Sequence, residues 1–168
     1  MTDVSLRADC AQCAALCCVA LAFDASHLFA FDKPAGRACP NLSARDRCTI
    51  HARREESGFA GCVRFDCLGA GQRVTRLFAG HSWREDEATA RSMFEAFGAM
   101  RRVHEMLLLL REAEKLPLTS EQATCRHALV DALERDTETP ASLAALDRSG
   151  RAREVAAFLG SLRGCVER

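Results

Sequence analysis

Eight cysteines, Cys10, Cys13, Cys17, Cys18, Cys39, Cys48, Cys62 and Cys67, fall within the first 67 residues of a 168-residue chain, and the remainder carries only Cys125 and Cys165. Thiols at that density tie loops together by something stronger than apolar contact, either disulfide bonding or a bound metal.

The compartment decides between those two. The first nine residues hold no basic leader followed by an apolar run, and the first apolar stretch, residues 14–23, is interrupted by thiols. The expected location is therefore cytoplasmic. No uncharged apolar run approaches the roughly 18 residues that a membrane span needs, so no membrane association is expected. In a reducing cytosol thiols stay reduced unless a metal captures them, which directs the expectation to zinc or an iron-sulfur cluster, the latter slightly preferred. A disulfide-stapled structural domain is the alternative for an exported chain.

Charge limits the partners. Lys and Arg together number 23, as do Asp and Glu, and residues 1–67 carry eight of each sign. A chain without a basic region has little to neutralise phosphates, so no nucleic acid is expected and a protein partner fits better. Only Lys33 and Lys115 among the cations are lysines; this Arg and Ala bias reads as the mark of a GC-rich genome.

Helix-forming Ala and Leu, uninterrupted by Gly or Pro, predict a helix over residues 11–22. Residues 33–42 read as a loop, because Pro34, Gly36 and Pro40 punctuate them. Residues 46–51 and 61–67 are expected as small strands or extended arms. From Trp83 the character changes. An acidic turn at Glu85, Asp86 and Glu87 precedes apolar steps of three and four through Met93, Phe97, Met100, His104 and Leu107, predicting a long amphipathic helix over residues 85–115. Pro117 stops it, and Ser120 opens a second helix with Cys125, Leu129, Ala132 and Leu133 as its stripe. Pro140 starts a third, closed by Gly150, and Val155, Phe158 and Leu162 mark a fourth. The expected fold is mainly α: a loop-rich, metal-bound cysteine-cluster module over residues 1–82, packed on a small C-terminal antiparallel helical bundle over residues 83–168.

Cys10 and Cys13 form a Cys-x2-Cys pair, a spacing that lets two thiolates of one turn converge on a metal. Cys17 and Cys18 are adjacent, and neighbouring side chains rarely aim at one point, so the doublet suggests a polynuclear centre or two sites. Cys62-x4-Cys67 forms a second knuckle, with Cys39 and Cys48 contributed by separate loops. Eight thiols suffice for two four-coordinate metals, or for one four-cysteine cluster with four thiols left for a second role.

The order Cys10-x2-Cys13-x3-Cys17-Cys18, then Cys-Pro-x-Leu at residues 39–42, Arg-Cys-x-Ile-His at 47–51 and Gly-Cys-x4-Cys at 61–67 resembles the zinc- or iron-chelating cysteine-cluster family, whose bacterial members carry eight cysteines and a Cys-Cys doublet. The likeness covers about residues 10–67, and its first spacings depart from the usual family form. Lys33-Pro-Ala-Gly, the Gly58 to Cys62 segment and the Asp66 to Gln72 segment are also similar to the N-terminal module of actinobacterial pentapeptide-repeat proteins, although no pentapeptide array follows here. The first resemblance implies metal binding by all eight cysteines. Because some relatives are protein methylases thought to need an iron-sulfur cluster, it also implies, more distantly, methyl transfer.

Other residues read more simply. Cys125 and Cys165 fall on apolar stripes and are expected to pack as small hydrophobes. His51 is expected to pack a loop sooner than to ligate, and His104 to be a core histidine. Gly69-Ala70-Gly71 lacks the surroundings of a dinucleotide loop and reads as a turn. The function expected is a metal-binding protein with a structural, sensing or partner-binding role. An iron-sulfur-dependent enzyme or redox protein is the alternative, although neither a nucleophile and base pair nor a nucleotide loop is visible.

Overall fold

The computed structural model describes residues 4–166. Among them the chain is mainly α, with eight α-helices, two short 3-10 turns and no strand beyond isolated bridges. It divides into two units, Arg7–Gly98 and a second made of Met1–Leu6 with Ala99–Arg168. The division falls inside the long helix that begins at Glu87.

In the Arg7–Gly98 unit the segment expected as one helix over residues 11–22 is broken. A 3-10 turn, Cys10–Gln12, is capped by the Asp9 carboxylate, which accepts from Ala11 N at 2.9 Å, and helix α1 covers only Leu16–Ala20. Between them Ala15 is left-handed, with φ 56°, a conformation that costs an L-residue about 1–2 kcal/mol. Long-range bonds hold it there: Ala14 N donates to Thr75 Oγ1 at 3.0 Å, and Ala14 O accepts from Trp83 Nε1 at 2.9 Å. The break turns Leu16 and Val19 fully into the core.

Residues 61–67, expected as extended, instead contribute to helix α2, Ala60–Arg64, before the chain straightens at Phe65. Packing overrides β-propensity here. Gly61 lies under the Phe29 ring, where a Cβ would stand 2.2 Å from Cζ, and Gly61 N donates to Leu28 O. Phe29 stacks on Phe23 with centroids 4.3 Å apart, and Phe31 and Phe59 close the aromatic group edge to face. Of residues 46–51, Cys48 alone pairs, in an isolated bridge with Leu42, and a 3-10 turn begins at His51. Helix α3, Ala70–Leu77, was not expected. Gly69 does take a left-handed turn, with φ 81°, but it leads straight into a helix whose Ala70 and Val74 are fully buried.

Helix α4, Glu87–Ala113, fills nearly the range expected for the long helix. In the Ala99–Arg168 unit it is followed by α5, Ser120–Asp136, α6, Pro140–Ser149, α7, Arg151–Ser161, and α8, Arg163–Val166. The cap of α5 is Thr119, one residue before the expected Ser120: its hydroxyl accepts from Gln122 N while the Gln122 side chain bonds back to Thr119 N. Pro140 sits at the start of α6, and Gly150, with φ 76°, ends it. Met100, Val103, Leu107, Leu110, Leu133 and Leu143 form the core, and His104 is buried among them as expected. Cys125 departs from the expected stripe and is exposed. Arg126 takes the inward position, paired with Glu114 at 3.0 Å and donating to Leu110 O. Among the described residues no helix is long and apolar enough to cross a membrane.

Candidate functional site

All eight of the clustered cysteines line one chamber of about 750 Å³ within the Arg7–Gly98 unit, and neither Cys125 nor Cys165 borders it. The chamber is assembled from loops more than from helices. Cys10 and Cys13 come from the first 3-10 turn and its end, Cys17 and Cys18 from α1, Cys39 and Cys48 from irregular backbone, Cys62 from α2, and Cys67 from the approach to α3. Phe23, Phe29, Phe59 and Ile50 supply an apolar wall, and Arg47, Arg54 and His51 also reach it. His51, expected to pack a loop, is exposed at this rim.

Arginine and lysine hold the loops in place by donating to backbone carbonyls. Arg47, next to Cys48, reaches across to Ala11 O at 2.7 Å and Cys13 O at 3.3 Å, so it clamps the first knuckle. Arg54 donates to His51 O at 2.9 Å and Cys62 O at 3.3 Å. Lys33 is the residue that the sequence reading missed. It is only 3% exposed, and its amine donates to Val19 O, Pro34 O and Arg37 O at 2.9–3.1 Å. Burial pulls this amine below its ordinary value, while the nearby sulfurs of Cys39 and Cys18 act the other way. The signal was its identity: in a chain that writes its cations as arginine, a lysine in a Pro-Gly loop marks a place for a compact ammonium instead of a planar fork.

The thiols themselves are all free. Cys17 Sγ and Cys18 Sγ stand 3.9 Å apart, far beyond the 2.05 Å or so of a disulfide. Burial pushes Cys13 and Cys62 up from 9.0 to about 11. Cys17 is raised first by the hydrogen bond to Cys18 and then by burial, and Cys10 by burial and by the charges of Cys17 and Cys67. Crowded thiols that resist ionisation together are what a divalent or polynuclear cation would relieve, since a coordinated thiol gives up its proton to the metal's charge. Among the described residues, however, no three Cys, His, Asp or Glu side chains already converge tightly enough to grip one ion. The donor set thus fits thiophilic metal chemistry, whereas its arrangement is a ring of thiols around a chamber and not a closed single-ion cage.

No family model matches the chain, and no solved structure matches it. It is similar to the uncharacterized protein YybG of Bacillus subtilis (strain 168), with 44% identity over 124 residues that make up 71% of this chain and 44% of that protein. The chain spans less than half the length of this relative. The relative comes from a Bacillus, whereas the pentapeptide-repeat likeness seen in the sequence was to actinobacterial proteins.

Proposed function

We propose that the chain is a cytoplasmic metal-binding protein of the cysteine-cluster type, in which the eight clustered thiols hold an inorganic centre that organises the loops around it. The observation that carries this reading is the selective gathering of those eight cysteines around one chamber, with the remaining two left outside. Free thiols and balanced charge support it. The centre would supply charge to stabilise buried thiolates, and an iron-sulfur cluster would add electron transfer. Arg47, Arg54 and Lys33 would keep the ligand loops in register, and Lys33 would offset part of the negative charge. Because most of the surrounding backbone is irregular, losing the centre is expected to loosen this unit broadly.

Anaerobic purification followed by visible absorption and by iron, sulfide and zinc analysis tests the reading. A brown protein with iron and sulfide, or a colourless one with stoichiometric zinc, is the expected result. A metal-free protein that keeps its melting temperature after chelator treatment would refute it.

The size of the chamber favours a second reading, an iron-sulfur-dependent enzyme. About 750 Å³ with a wall of Phe23, Phe29, Phe59 and Phe65 is in the range of small-molecule pockets. Such an enzyme would bind an organic guest against the phenyl rings. A methyl donor is one candidate, and isothermal titration that shows no heat with it would remove that candidate.

A further inference from the structure

We propose that the eight thiols divide into two four-thiol metal sites that meet at the Cys17–Cys18 peptide: Cys10, Cys13, Cys17 and Cys67 in one, and Cys18, Cys39, Cys48 and Cys62 in the other. This rests on the metal-binding reading and adds which thiols share a site.

The doublet provides the geometry. Side chains of successive residues on an α-helix diverge by about 100°. On α1, Leu16 and Val19 point into the core with 0% and 1% exposure. Cys17 and Cys18 therefore lie on the face away from that core direction, with their sulfurs 3.9 Å apart. Two sites that each take one of these sulfurs would therefore lie side by side along this turn of α1.

The first set is marked out by a second, separate recess of about 20 Å³ whose only bordering cysteines are Cys10, Cys13, Cys17 and Cys67. Gly71 and Gln72 close it. A Cβ at Gly71 would stand 2.6 Å from Cys13 Sγ and 3.9 Å from Cys67 Sγ, so those two sulfurs meet over a residue that lacks a side chain. The Gln72 amide ties the loop down by donating to Arg7 O at 2.7 Å and accepting from Asp9 N at 3.1 Å.

The second set is joined by backbone pairing and one side-chain link that run from one cysteine-bearing segment to the next. Cys39 N donates to Cys18 O at 2.9 Å, Leu42 N to Cys39 O at 2.9 Å, and Leu42 bridges to Cys48. His51 N donates to Cys48 O, and Arg54 then links His51 O to Cys62 O. Lys33 lies within this group, with the carbonyl just after Cys18, Val19 O, among its acceptors. Cys17 lies where the two sets meet, its sulfur 3.9 Å from that of Cys18. Its place in the recess, where Cys18 is absent, assigns it to the first set. Each set closes further when it binds, since neither is yet tight enough to grip an ion.

Paired substitutions in the full-length protein, purified anaerobically with its own metal, test the division. Cys10→Ser and Cys67→Ser, singly or together, are expected to remove half of the metal, as are Cys39→Ser and Cys62→Ser. Combining Cys10→Ser with Cys62→Ser is expected to remove all of it. If Cys10→Ser alone strips all the metal, or if the Cys10→Ser/Cys67→Ser pair strips more than either single change, the division is wrong. Should the variants fail to fold, the wild-type chain answers instead. Graded chelator treatment with thiol alkylation and peptide mass mapping is expected to label the two sets as two blocks of four. Any other grouping, Cys17 with Cys18 included, overturns the proposal. A wild-type protein that carries no metal overturns the underlying reading and is recognised before any variant is made.

Discussion

Gly71 in α3 approaches Cys13 so closely that a Cβ at residue 71 would stand 2.6 Å from the Cys13 sulfur. A free thiol can rotate away from such an intruder cheaply, whereas a thiolate fixed to a metal cannot. Gly71→Ala is therefore expected to leave the metal-free protein within about 1 kcal/mol of wild type, by the scale of small overpacking costs. In the metal-loaded protein it is expected to lower both metal content and melting temperature. Thermal melts of the two forms, with elemental analysis, check this; equal shifts in both would mean that Cys13 is not a ligand.

Lys33 makes a different kind of demand. Its buried amine satisfies three carbonyls at once, and a buried acceptor left without a donor costs about 1–3 kcal/mol. Lys33→Met keeps the stem and removes the amine, so chemical denaturation is expected to show a loss of at least about 2 kcal/mol on the same scale. Lys33→Arg is expected to rescue little of it, because a planar guanidinium does not fit a pocket built for a compact ammonium.

The carboxyl-terminal helices were legible because their information is local. Apolar steps of three and four, Pro140 at a first turn and Gly150 at an end all act within one element, and α4 to α7 appear close to where these signals place them. Cys125 misled because Arg126 could bury its stem and still reach Glu114 and Leu110 O. The amino-terminal unit resisted for the opposite reason. Ala15 is left-handed because Thr75 and Trp83, some sixty residues away, take the hydrogen bonds of Ala14. Residues 60–64 turn helical because Gly61 must pass under Phe29. Cysteine order alone pointed to a common site, and the chamber brings the eight together, but which of them border the small recess beside Gly71 depends on contacts between the first knuckle and α3, which no local signal carries.

Metal-free and metal-loaded forms are also expected to separate with pH. In the metal-free protein, burial raises Cys13 and Cys62 to about 11 from 9.0. Between those values the unfolded chain has lost the proton that the folded one keeps, so stability is intact below pH 9 and falls as pH rises toward 11. Coordinated thiolates carry no proton to lose, and the loaded protein is expected to hold its melting temperature across this window. Calorimetric melts in reductant at pH 8, 9, 10 and 11 make the comparison; parallel decline of both forms would count against thiolate coordination.

In the Ala99–Arg168 unit, stability should depend on ordinary packing. Leu133 on α5 is fully buried, and Leu→Ala at such a position costs about 2–5 kcal/mol through lost transfer energy and the cavity left behind. Thr119 caps the same helix with both halves of a capping box in place, and removing a threonine cap costs about 1 kcal/mol. Leu133→Ala and Thr119→Ala are therefore expected to destabilise the protein in that order, while metal content per folded molecule stays at the wild-type value. Denaturant titration followed by circular dichroism, together with elemental analysis of the folded fraction, measures both quantities. Metal loss in Leu133→Ala at temperatures where its helices remain intact would show that the thiol chamber depends on this packing directly.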